Sequence, residues 1–166
     1  MFELKRLSRE AIPAALEKAQ RYRLLNEPME AQSICLDILA VEPDNQRAIV
    51  LLLLASTDQF EVGRNDSLAR AKAALAELVE PYARAYYAGI ILERWARAQL
   101  RRGGIGLGAA VHDLLRQAMV KFEQASALRP PGEDEALLRW NTCARLLMSR
   151  PELAPSGPDS QEHMLE

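Results

Sequence analysis

Three segments of the chain share one spacing. Each begins on an alanine, carries small or apolar residues four and seven positions later, and meets a proline at the twelfth. The sets are Ala31, Cys35, Ile38 and Pro43; Ala69, Ala73, Ala76 and Pro81; and Ala118, Phe122, Ala125 and Pro130. The first three positions of each set fall on one face of an α-helix, and small side chains there let a neighbouring helix approach closely. Proline lacks the amide hydrogen that a continuing helix needs, so it ends the unit. A motif recurring at the ends of three helix pairs constrains the fold more tightly than composition does.

Composition agrees with helices. Aromatic residues number only nine, Ala and Leu are abundant, and runs of alternating β-branched residues are absent. Seven helices are predicted. The first runs from about Ser8 to Leu25, with Pro13 in its early part, and ends at Asn26-Glu27-Pro28. The second covers Pro28 to Val41, and Asp44 or Asn45 caps the third, Gln46 to Phe60. That third helix is apolar almost all round from Ala48 to Ala55, so it must be covered on most sides and belongs in the middle of the stack. Asp66 or Ser67 caps the fourth, Ser67 to Glu80, after a loop at 63–66. The fifth runs from Pro81 to Arg102, with Ala88, Ile91, Leu92, Trp95 and Ala98 on one face and Arg94, Arg97 and Arg101 on another. A sixth ends at Leu128, and the seventh, Glu133 to Met148, offers Leu137, Leu138, Trp140, Cys143, Ala144, Leu147 and Met148 for burial. Residues 1–149 are expected to form the helical domain. The Pro-, Ser- and acid-rich stretch 150–166 is expected to be a disordered acidic tail.

Residues 12–45 form a unit with small Ala19, aromatic Tyr22, then Ala31, Leu39, Val41 and Pro43-Asp44-Asn45. This resembles the tetratricopeptide repeat family, with Cys35 at the place of its usual second-helix aromatic and Ala15 at that of its tryptophan. Residues 46–81 and 82–130 are looser copies, the latter enlarged by the run Gly103 to Gly108. The resemblance covers roughly residues 10–148. It implies an all-α, right-handed superhelix of about three helix pairs, closed by the seventh helix as a cap.

Motifs that carry chemistry are sparse. The two histidines are His112 and His163, and no HExxH, CxxC or clustered Cys/His spacing occurs. Cys35 and Cys143 lie in apolar helical stretches, where a reduced buried thiol is the default. The glycine run follows a helix and lacks the Lys of a phosphate loop, so Gly103 reads as a helix cap. Glu133-Asp134-Glu135 stands at a helix N-terminus, where negative charge is favoured anyway. The chain is expected not to be an enzyme, and to need no cofactor or metal.

Charge is unevenly spread. Residues 1–80 hold ten basic against thirteen acidic side chains, 81–129 hold eight against three, and 130–166 three against seven. The arginine stripe at 94, 97 and 101 has four readings: a solvated face, contacts with neighbouring acids, an anchor for an acidic peptide, or a small-molecule or anion site. Nucleic acid is not expected, because net charge is −2 and stacking aromatics are few. No apolar run is long enough to span a bilayer and the N-terminus lacks a signal-type core, so a cytoplasmic location is expected. The leading reading is a protein-interaction module or scaffold that binds a peptide or partner protein in a concave groove. By family analogy that groove comprises Leu16, Gln20, Arg23, Arg47, Val50, Leu54, Tyr87, Arg94, Arg97 and Arg101. Chaperone-binding members of the family hold a terminal carboxylate with Lys, Asn and Arg; here Leu16, Gln20 and Leu51 stand at Lys and Asn places, so the resemblance does not bring that clamp. The alternative is a structural protein that self-associates, as a homodimer, through its stack faces.

Overall fold

A computed structural model describes residues 1–62 and 65–155, and of Asn65 only the backbone. The expected loop residues 63–64 and the tail from 156, with His163, lie outside the described residues. Every regular element among the described residues is helical. These are α1 (Ile12–Leu24), α2 (Pro28–Leu39), α3 (Gln46–Thr57), α4 (Asn65–Ala76), α5 (Pro81–Arg102), α6 (Leu107–Leu128) and α7 (Glu135–Ser149), with 3-10 turns at Arg9–Ala11 and Pro151–Leu153. Each helix packs on the next, and α1 also meets α3, as α3 meets α5. Helices joined by short turns run antiparallel, so α1, α3 and α5 point the same way and their C-terminal ends share one rim.

The breaks follow from local chemistry. Asn26 takes a left-handed φ of 60° and Pro28 opens α2. Asn45, of the two predicted caps, accepts from the Ala48 amide at 3.0 Å. Glu80 caps α5 by accepting from the Tyr82 and Ala83 amides at 3.0 and 2.8 Å. Gly103 ends α5 at φ 67°, its amide bonded to the Gln99 carbonyl.

The apolar α3 holds the centre. Ala48, Leu51 and Leu52 join Ile12, Leu16, Ala19, Cys35 and Ile38 in one core. Ile49 and Leu53 join Phe60, Ala71, Ala74, Leu78, Ile91 and Ala98 in a second. A third lies among α5, α6 and α7, built on Ile90, Ala96, Leu115, Ala118, Phe122 and Cys143. Each fully buried Leu or Ile contributes about 1.5–3 kcal/mol, so α3 links the first two cores and cannot be removed from either.

The structure corrects the predicted phase of α4. Ala31, Cys35 and Ile38 are fully buried, and so are Ala118, Phe122 and Ala125. Ala69, Ala73 and Ala76 are exposed instead, and Ser67, Ala71, Ala74 and Leu78 face the core. Alanines at 69, 71, 73, 74 and 76 satisfy either face, so spacing could not set the phase. Pro81 is correspondingly the first residue of α5, whereas Pro43 and Pro130 stand in loops after their helices. Helix α4 starts two residues early, which puts Asp66 and Ser67 inside its first turn rather than at its cap. Helix α3 ends at Thr57 and α4 at Ala76, short of the predicted Phe60 and Glu80.

Two further differences concern the C-terminal end. In α7 the core residues are Ala136 and Cys143, while Leu137, Leu138 and Met148 are exposed. Residues 151–153, assigned to the tail from sequence, turn back and bury Leu153 against α6. Leu153 sits beside Gly108, where a Cβ would meet its backbone at 3.5 Å.

The α5–α6 contact is closer still. A Cβ on Gly89 would lie 2.5 Å from Phe122 Cε1. Helix propensity alone would make Gly89→Ala stabilising by about 1 kcal/mol. Overpacking reverses the sign, and a loss of about 1–3 kcal/mol is expected in urea unfolding. An unchanged or raised midpoint would show that the ring can move aside.

Candidate functional site

The shared rim brings cations together. Arg23 stands near the end of α1, Asp58 just past α3, and Arg94, Arg97 and Arg101 on the C-terminal half of α5. Of these, Arg23 and Arg101 fall in the last turns of α1 and α5, where cations are favoured because carbonyls lack partners. Together with Asn26, Thr57, Phe60 and Glu61 these residues line a cavity of about 280 Å³.

Asp58 is its hinge point. Its Oδ2 accepts from Arg23 Nε at 2.7 Å, and its Oδ1 from Arg23 Nη2 at 3.3 Å and Arg94 Nη1 at 2.6 Å. Arg94 Nη1 also donates to Thr57 Oγ1 at 2.7 Å. One carboxylate thus ties α1, α3 and α5 with charge-assisted bonds. Burial pulls the Arg94 guanidinium below its ordinary range; Asp58 opposes this, while Arg23 and Arg139 add to it.

Behind the wall lies Glu93, 1% exposed, shared between two helices. Its Oε1 accepts from Arg97 Nε at 3.1 Å, and its Oε2 lies 3.5 Å from Arg139 Nη1 of α7. Burial would lower the Arg139 pKa, but Glu93 and the Tyr86 hydroxyl outweigh it and the net shift is upward. At the mouth, Arg101 pairs with Glu61. Arg102 holds the adjoining loop: it donates to the Phe60 carbonyl at 2.8 Å and stands 5.6 Å from the Trp95 ring centroid. Phe60 meets Trp95 edge-on at 5.3 Å between centroids.

Of the ten groove residues expected from sequence, the cavity gathers four: Arg23, Arg94, Arg97 and Arg101. Gln20 and Arg47 are exposed and bonded to each other at 3.3 Å. Leu16 is 7% exposed and belongs to the first core, which removes it from any contact surface. Val50, Leu54 and Tyr87 are half-buried and pack against the second core, the latter two also against the third. Each arginine of the stripe meets an acid, so the reading of contacts with neighbouring acids describes its resting pairing. Sequence reasoning missed Asp58, Glu61 and Glu93. A signal existed for two of them: Asp58 is the first acid after a long apolar run, and Glu93 the lone acid of α5, four residues before Arg97.

The thiols have no such poise. Burial pushes Cys35 and Cys143 each from 9.0 up to about 12, the opposite of an activated nucleophile. Among the described residues no three His, Cys, Asp or Glu side chains are grouped to hold a metal ion. No described helix is long and apolar enough to cross a membrane. Comparison with family models, with curated proteins and with solved structures yields no match.

Removing the Asp58 carboxylate leaves two part-buried guanidinium groups facing each other. Asp58→Ala is expected to cost about 3–5 kcal/mol in chemical unfolding, and Asp58→Glu much less. A loss below 0.5 kcal/mol, the scale of an exposed ion pair, would mean that the three helices do not depend on the bridge. The thiols give a second test. A thiol reagent at pH 8 should label neither cysteine in the native chain and both in denaturant. Because folding raises both thiol pKa values, the associated stability is intact below pH 9.0 and is lost as pH climbs toward about 12. Rapid native labelling at pH 8 would contradict this burial.

Proposed function

We propose that the chain is a protein-interaction module, a cytoplasmic scaffold of tetratricopeptide-like helix pairs stacked as a right-handed superhelix. Its concave side, formed by α1, α3 and α5, takes an acidic peptide or partner segment. The convergence of Arg23, Arg94, Arg97 and Arg101 in one open cavity supports this reading most directly. Guanidinium groups match carboxylates with paired donors. The side-by-side packing of α1, α3 and α5 supports the groove itself, because it continues the rim across three helices.

A second reading, self-association, has its own observation. Leu24, Leu25, Met29 and Val62 are all exposed, and Met29 and Val62 line a depression with Pro28 and Gln59. Apolar patches of that kind mark contact surfaces.

Binding of an immobilised chain to peptide pools enriched in Asp and Glu tests the first reading. Arg97→Gln with Arg101→Glu should abolish retention while circular dichroism stays helical. Retention that survives the double substitution, or that never exceeds a neutral pool, would refute it. Sedimentation over a hundredfold concentration range tests the second: a dimer dispersed by Leu25→Glu and Met29→Glu would replace the peptide reading wherever it closes the cavity.

A further inference from the structure

We propose that the arginine cavity selects a dianionic phosphoryl group borne on a peptide side chain over a single carboxylate. The assignment rests on the interaction-module reading and specifies the chemistry of its ligand.

The charge count comes first. Four guanidinium groups on the wall face two carboxylates, Asp58 and Glu61. The layer behind adds one carboxylate, Glu93, and one guanidinium, Arg139, so the surplus of two cations is unchanged. A carboxylate ligand neutralises one of them. A phosphorylated serine carries roughly −1.5 to −2 at neutral pH and neutralises both.

The donors agree. Arg23 uses Nε and Nη2 on Asp58, and both Asp58 oxygens are engaged. The stripe arginines use one nitrogen each on acids: Nη1 of Arg94, Nε of Arg97 and Nη1 of Arg101. Among the described residues this leaves Nη2 of Arg94, both terminal nitrogens of Arg97, and Nε and Nη2 of Arg101 with no protein acceptor. Spacing of three and seven along α5 keeps these donors on one face over roughly 10 Å. Arg97 is also held in place by its Nε bond to a buried carboxylate, so ordering it on binding costs little. Several forked donors on a rigid helix suit the three acceptor oxygens of a phosphoryl group.

The test uses labelled nine-residue peptide pools with neutral random flanks and a central phosphoserine, glutamate or serine, read by fluorescence anisotropy. Phosphoserine should bind about tenfold tighter than glutamate, with serine weakest. Arg101→Ala, at an exposed position, should remove about tenfold of that affinity. Arg97→Lys keeps the charge beside Glu93 and should lose the preference for phosphoserine over glutamate without unfolding. Lys72→Ala with Lys121→Ala, in the separate groove between α4 and α6, should change affinity less than twofold. Equal binding of the glutamate and phosphoserine pools would overturn the phosphoryl assignment and leave the acidic-peptide reading standing. Failure of both pools to exceed serine would overturn both. An equal loss in the Lys72/Lys121 variant would mean bulk attraction, and inorganic phosphate binding as tightly as the pool would mean a free-anion site; either result overturns the proposal.

Discussion

The carboxylate of Asp58 organises the rim on which the candidate site is built. It sits where α3 has just ended, and its two oxygens reach backward to Arg23 of α1 and forward to Arg94 of α5. Three helices that belong to three successive pairs are thereby fixed at one end by a single side chain. The partners lie 35 and 36 residues away in sequence, so these bonds form only once the pairs have stacked. The same contacts orient two of the four cavity arginines, which makes the shape of the site a by-product of the way the stack is closed.

That closure is possible because α3 is apolar on nearly every side. A helix buried all round has no polar face to offer water, so α1, α2, α4 and α5 must all lie against it. Charge is displaced to its ends: Arg47 at one and Asp58 at the other. The first meets Gln20 on the surface, and the second meets the arginines of the rim. Burial in the middle and charge at the tips are two aspects of one sequence pattern.

The helix content, the turns at Asn26 and Gly103 and the central place of α3 were legible from residue type and spacing. The phase of α4 was not, because alanines populate both of its faces and packing against α3 and α5 decides between them. The arginine stripe was visible as a row, yet its counter-charges were not. Asp58 and Glu61 come from another helix pair, and the second partner of Glu93, Arg139, lies 46 positions further on, beyond any local period. Leu153 escaped notice for a related reason: a single leucine among Pro and acid carries no periodicity, although it fits beside Gly108.

Glu93 has two creditors and only one charge. In the resting chain Arg97 of the rim and Arg139 of the terminal helix share it. Arg97 faces the cavity while its Nε stays on Glu93, so one buried carboxylate holds a rim arginine and the terminal helix together. Helix α7, which places Ala136 and Cys143 in the third core, is thus joined to the arginine wall through one buried acid.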